Sequence, residues 1–402
     1  MVGQDGVLPL PWLAATLHHT LLTRHAHALL LHGPRGVGQF ELALTLAQAW
    51  LCEAATASAT AGASSARATM DATTDATTEA TTRATTEASA PPRPCGRCAA
   101  CRLVQARSHP DLLVLLPEAL REPLGWNLND AADTASEKAS KAKPSKEIKV
   151  EAVRSAVAFA QITSARGRCK VVVVYPAERM NEVAANTLLK TLEEPPGVAR
   201  FLLACAEPEA LLATIRSRCQ AVPMRLPPTD LAVQWLAQQG VVDPGVLLAA
   251  AGGQPQEARE WAGQGIDAAL WSRLPALVLR GEATPLAAWP LARVVDALQK
   301  LCHDASCRAA GAAPRYFALT AMASLPPAAD PIALADWSRD LLRAARHAEH
   351  PWNAGLMVEA LVQRGQRALA GSGPAVSDRT VSAQPALAQP ASAHPASVNS
   401  RR

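Results

Sequence analysis

The chain has 402 residues, enough for two or three domains, and its 49% hydrophobic content excludes a chain that is disordered throughout. With 39 basic residues against 35 acidic, the net charge of +4 is too mild to announce a nucleic-acid-binding protein by bulk electrostatics. No apolar run reaches the roughly 18 residues of a membrane span, and MVGQDGVLPLPWLAATL lacks the basic start and cleavage site of a secretory signal, so a cytoplasmic protein is expected.

Residues 24–52 read as strand, glycine-rich turn and helix. Ala28 to Leu31 form an apolar run, Gly33, Gly36 and Gly38 follow, and Leu42, Leu46 and Ala49 recur at helical spacing. After Cys52 the composition changes. Residues 53–94 are mostly Ala, Thr and Ser, with DATT, DATT, EATT and RATT in succession from Asp71 to Thr86. Such a stretch cannot bury a core, and a disordered insertion is expected. Leu112 to Leu116 predict a buried strand, entered through the turn Ser108 to Asp111. Residues from about 118 to 146 carry Lys138, Lys141, Lys143 and Lys146 and read as a second disordered, solvated loop.

The ordered pattern resumes with a helix over 150–162, a strand over 171–175, a helix over 181–194 stopped by Pro195–Pro196, and a strand over 201–205. Strands separated by helices imply a parallel sheet with crossover helices. Beyond Pro227 the pattern is helical, broken near 243, 252, 285 and 325, and the last thirty residues read as a loose tail.

Gly33-Pro34-Arg35-Gly36-Val37-Gly38 occupies the place of a phosphate-binding P-loop between strand and helix. The pattern then requires Lys followed by Ser or Thr, for the phosphates and for Mg²⁺. Here Gln39 and Phe40 stand instead. A Walker B motif after the third strand would supply acids, yet the chain reads Tyr175-Pro176-Ala177-Glu178. Glu178 falls too late and reads as an exposed acid at a helix start. Productive ATP binding or hydrolysis is not expected. Cys95, Cys98 and Cys101, each separated from the next by two residues, can place three thiolates on one small knuckle, and tetrahedral zinc needs one further ligand.

The run Ala184-Ala185-Asn186-Thr187-Leu188-Leu189-Lys190-Thr191-Leu192-Glu193-Glu194-Pro195-Pro196 is similar to a signature of bacterial clamp-loader subunits, as is Ser217-Arg218-Cys219 after the next strand. With the cysteine cluster and the defective loop, the chain resembles the delta prime family of DNA polymerase III subunits, densely over 24–227 and diffusely beyond. The resemblance implies an AAA+ arrangement: an α/β P-loop NTPase-like domain over 1–225 with a zinc module, a small helical lid domain over 226–268, a helical collar over 269–370 and a disordered tail over 371–402. It implies a non-hydrolysing member of a hetero-oligomeric ring that loads the sliding clamp on primed DNA. Its partners would be the gamma or tau motor subunits and the delta subunit, with no membrane involved. As a non-catalytic part of a DNA-directed DNA polymerase (nucleotidyltransferase) holoenzyme, it would have no ATPase of its own.

The resemblance further implies that Arg218 is an arginine finger reaching the ATP site of the neighbouring motor. Read from spacing alone, Arg218 is a surface arginine or pairs with a local carboxylate. It also implies Cys52 as the fourth ligand of a structural zinc held with Cys95, Cys98 and Cys101. His109 is the other candidate, although His-Pro-Asp reads more naturally as a turn. Gln256, in Gly253-Gln254-Pro255-Gln256, takes the place of the sensor arginine of motor subunits. Three rival readings weigh less. A catalytic gamma or tau type motor is incompatible with Gln39, Phe40, Pro176 and Ala177. A zinc-containing nucleic-acid-binding regulator would need more than 4% aromatics and a basic stripe. A zinc enzyme is disfavoured because four thiolates leave no open position.

Overall fold

The computed structural model describes residues 1–24, 26–54, 94–126, 144–326, 330–347 and 353–370. The expected Ala/Thr insertion, most of the Lys-rich loop and the tail lie outside the described residues. The chain divides into two compact units, Met1–Leu277 with Ala312–Ser324, and Val278–Gly311 with Leu325–Arg402.

The first unit is built on a five-stranded sheet in which every pair is parallel. β1 (Ala28–His32), β2 (Leu112–Leu115), β3 (Val171–Val174), β4 (Arg200–Cys205) and β5 (Gln220–Pro223) stand in the order β2-β3-β4-β1-β5. Parallel strands covered on both faces read as continuous apolar runs, and Val171 to Val174 are all buried. Alternate residues serve opposite layers. Leu29, Leu31, Val171, Val173, Leu202 and Ala204 join the core formed with α1 (Leu13–Thr23), α2 (Gln39–Leu51) and α3 (Ala99–Gln105). Leu30, Val172, Val174, Phe201 and Leu203 face the other layer. The short α4 (Glu118–Arg121) follows β2. That second layer is made by α5 (Val150–Gln161), α6 (Glu182–Glu193) and the single-turn α7 (Ala213–Arg216). The Asn181 side chain accepts the Ala184 amide at 2.9 Å and so caps α6.

Two differences from the sequence expectation have simple causes. β5 and α1 were not anticipated. Gln220 to Pro223 is a short edge strand with polar residues, which carries little periodic signal. Residues 118–126, expected to belong to a disordered loop, are described: α4 forms, and Trp126 is buried against Phe40. The helices α8 (Thr229–Gln238), α9 (Pro244–Ala250) and α10 (Pro255–Gly263) lie within the first unit, with Trp12 edge-on to Trp235 at 5.2 Å.

α11 (Ala268–Arg280) leads into the second unit, and α13 (Leu319–Met322) belongs to the first. In the second unit α12 (Leu291–Ala309), α14 (Pro331–Arg346) and α15 (Ala354–Leu369) bury Leu298, Leu301, Leu334, Trp337, Leu341 and Val362. This all-helical packing gives the C-terminal part its class.

One buried ion pair joins the starts of β2 and β3. Asp111 is 0% exposed and Lys170 6%, and their charged atoms lie 3.0 Å apart. Asp111 also accepts the amides of Ala165 at 2.7 Å and Arg166 at 3.0 Å. Burial pushes the Asp111 carboxyl up, but those amides and Lys170 outweigh it and hold the group below the ordinary carboxylate value. Its contribution to stability is therefore full at neutral pH and is lost as pH falls through the depressed folded value. Lys170→Met leaves the carboxylate buried without its cation and is expected to cost about 3 kcal/mol, read by urea unfolding. A loss below about 1 kcal/mol, the range of a surface pair, would contradict this.

Candidate functional site

The carboxyl ends of β1, β3 and β4 open on one edge of the sheet, where ligands bind in folds of this kind. A cavity of about 680 Å³ lies there, lined among others by Gly36, Gln39, Phe40, Glu41, Tyr175 and Gln256. The glycine turn leaves β1 and enters α2 through Gly38, whose φ of +98° an ordinary residue rarely adopts and whose missing Cβ makes room for Leu10. The loop runs from strand to helix in the place expected for a phosphate cradle, and its side chains are engaged within the chain.

Gln39 Nε2 donates to the carbonyls of Gly33 and Pro34, both at 2.7 Å. A P-loop lysine in that position would extend toward phosphate. Phe40 stacks on Tyr175 with ring centres 4.9 Å apart and meets Trp126 edge-on at 6.2 Å. The position that would hold Mg²⁺ through a hydroxyl is thus part of an aromatic cluster. Arg35, the loop's own cation, pairs with Glu207 at 2.6 Å. From α10, the Gln256 amide donates to the Gly36 carbonyl at 3.3 Å and its side chain to Glu41 at 2.6 Å. Gln256, expected in the place of a sensor arginine, therefore binds the chain's own Glu41. Glu178, expected as an exposed acid, is half-buried, and its carboxylate accepts the Ala206 amide at 3.0 Å, linking the ends of β3 and β4.

Arg218 does not line this cavity. It follows α7, with its side chain 33% exposed, and forms an ion pair with Glu193 at the end of α6. Its Nε donates to Glu193 at 2.6 Å and its Nη1 to the Thr214 carbonyl at 3.0 Å. Within the isolated chain, Arg218 thus has a local carboxylate partner. The neighbouring Cys219 is buried, and burial pushes its thiol up to about 12, so it packs rather than reacts.

The cysteine quartet comes together. Cys52 closes α2, Cys98 caps α3, and the sulfurs of Cys52, Cys95, Cys98 and Cys101 lie within 4.8 Å of one another. Cys52 and Cys98 are 3.9 Å apart, as are Cys95 and Cys101. Four sulfurs around zinc at about 2.3 Å have tetrahedral edges of roughly 3.8 Å, so the donor set fits that ion. Backbone amides of Cys95, Cys98 and Cys101 point at the sulfurs at 3.3–3.5 Å, as suits thiolates. The Cys52 thiol is drawn down to about 4, first by the Cys101 thiol and then, against burial, by the Cys95 amide; Cys101 is pushed up by the same partnership. His109 is not a member of the quartet: its Nδ1 accepts the Asp111 amide at 3.0 Å, in the turn before β2.

Sequence reading missed the residues that support these groups. Gly96 adopts φ +70° in the knuckle, where a Cβ would strike the Gly3 carbonyl. Gln105 donates to the carbonyls of Val2 and Gly96 at 2.9 and 2.8 Å, and Arg168 holds the Cys52 carbonyl at 2.6 Å. Only Gly96, inside Cys-Gly-Arg-Cys, left a sequence signal.

A parallel sheet in this order, a glycine turn between strand and helix and a helical C-terminal part define an AAA+ NTPase-like fold. Comparison with known proteins narrows the class. The family model described as DNA polymerase III, delta subunit, matches residues 67–228. The DNA polymerase III subunit delta' of Pseudomonas aeruginosa is 35% identical over 247 residues, covering 60% of this chain and 58% of that one. Its Escherichia coli K12 counterpart is 39% identical over 156 residues, 39% of this chain and 40% of that one. The chain therefore spans about half the length of these curated relatives. A gamma-subunit-related protein of Thermotoga maritima overlaps 88% of this chain and 98% of its own, at 14% identity and a TM-score of 0.39, too loosely to weigh further. The resemblance to the delta prime subunits of bacterial DNA polymerase III, legible in the motifs, is thereby shown.

Proposed function

We propose that this chain is a non-hydrolysing delta prime subunit of a DNA polymerase III clamp loader. It would assemble in the cytoplasm with gamma or tau motor subunits and the delta subunit, and help place the sliding clamp on primed DNA. The proposed division is an AAA+-like domain to residue 225, a lid over 226–268 and a collar over 269–370. Arg218 acts as a finger in the ATP site of the adjacent motor, where a fixed guanidinium offsets charge on the transferring phosphoryl group. The four cysteines hold a structural zinc.

The observation that carries this reading is the self-filled loop. Gln39 uses its donors on Gly33 and Pro34, and Phe40 is stacked on Tyr175. A chain so built cannot run its own cycle, and its contribution to ATP chemistry has to come in trans. Purified alone, the chain is expected to show no ATP turnover and no saturable binding of a fluorescent ATP analogue. Turnover that disappears on mutating Gly36 or Gly38 would refute the non-hydrolysing assignment and return the chain to the motor class.

A further inference from the structure

Arg218 is held in a way that its sequence neighbourhood does not explain. Its Nε and Nη2 both reach Oε1 of Glu193, Nη1 donates to the Thr214 carbonyl at 3.0 Å, and the Ser217 hydroxyl lies 3.4 Å from Nη1. An arginine carries five N–H donors in a planar fork. These contacts fix the plane of the guanidinium while a third of the side chain stays open to solvent. Glu193 is the last residue of α6. The C-terminal end of a helix carries the negative pole of the dipole, so a carboxylate there works against the helix. Its placement is unfavourable locally, and the contact that accounts for it is the one across to Arg218, 25 positions on.

We propose that Glu193 is the positioning residue of Arg218. Building on the trans role proposed for that arginine, Glu193 keeps a long, flexible side chain in the reaching conformation before the neighbour's nucleotide arrives. An unheld arginine spreads over many rotamers, and ordering it in advance removes that loss from the step in which charge develops. The carboxylate touches no reacting atom in this scheme; it acts through the guanidinium.

The test is a double-mutant cycle in a loader reconstituted with its motor and delta subunits, reading DNA- and clamp-stimulated ATPase. The set is Glu193→Ala, Glu193→Gln, Arg218→Ala, the Glu193→Ala/Arg218→Ala double variant and, as a control at the same helix end, Glu194→Ala. Assembly of each is checked by gel filtration. Glu193→Ala is expected to lower kcat on the order of ten- to a hundredfold with KM for ATP little changed. Glu193→Gln, which can still accept the bonds, recovers part of the loss, and the double variant turns over no more slowly than Arg218→Ala. Wild-type or faster turnover of Glu193→Ala overturns the proposal, the latter because Glu193 would then be restraining the arginine. A further loss on top of Arg218→Ala also overturns it, since Glu193 would then act on structure. If Arg218→Ala itself keeps full turnover, the arginine-finger reading fails first, and that outcome is distinct from a failure at Glu193 alone.

Discussion

Replacing Arg218 with alanine is expected to slow the ATPase of a reconstituted loader by roughly 10³-fold or more, the scale seen where an arginine finger is removed. The chain's own fold should hardly notice. The Arg218–Glu193 pair is partly exposed, and such pairs contribute about 0–1 kcal/mol. A large catalytic loss with unchanged assembly by gel filtration is therefore the signature of a group working on a neighbour's substrate. Arg218→Lys is expected to recover little, because an ammonium is a point charge without the planar fork that grips two oxygens. Turnover unchanged in Arg218→Ala would reduce the residue to a surface charge paired with Glu193 and leave the chain a structural member of any ring it joins.

Metal content carries the second large effect. Freshly purified protein is expected to contain one zinc per chain, lost on Cys52→Ser as well as on Cys101→Ser. The sulfur spacing of 3.9 Å in the Cys52–Cys98 and Cys95–Cys101 pairs suits a filled tetrahedron. Once the ion is stripped, thiolates at that spacing repel and must take up protons. The knuckle and α3 also fasten the first residues, beside Gln48 of α2, which exchanges hydrogen bonds with Val2: Gln105 donates to the Val2 carbonyl and Arg97 to the Gln4 carbonyl. That segment leads to Trp12, whose Nε1 donates to the Val37 carbonyl at 2.8 Å inside the glycine turn. Chelation is expected to loosen the segment, seen as new proteolytic cleavage before Leu13 and a lower melting temperature, with several kcal/mol at stake. Stoichiometric zinc in Cys52→Ser would move the fourth ligand elsewhere; no zinc in the wild type would remove the metal altogether.

Much of this was written along the chain. The parallel sheet follows from apolar runs such as Val171 to Val174, because strands buried on both faces need no alternation. The end of α6 is set by Pro195–Pro196, which cannot continue a helix. The loss of the lysine and hydroxyl at Gln39 and Phe40 is a matter of residue type, and the chemistry they cannot do was legible without coordinates.

What those residues do instead was not legible. That Phe40 finds Tyr175 and Trp126 depends on packing between residues 135 and 86 positions apart in the chain, whereas Gln39 turns back on Gly33 and Pro34 within its own loop. Trp126 lay in a stretch whose lysines suggested solvent, since local charge says nothing of a single aromatic anchored from elsewhere. Cys52 joins three cysteines beyond a 42-residue gap only because α2 ends where the knuckle sits. The partnership of Glu193 with Arg218 is likewise a product of packing. Sequence by itself determined four of the five strands, the principal helices and the residue types that stand in the glycine turn, because these follow from composition and local periodicity. Tertiary structure alone decided which aromatics meet Phe40, which cysteine completes the quartet and which acid holds the arginine, because those contacts join positions far apart in the chain.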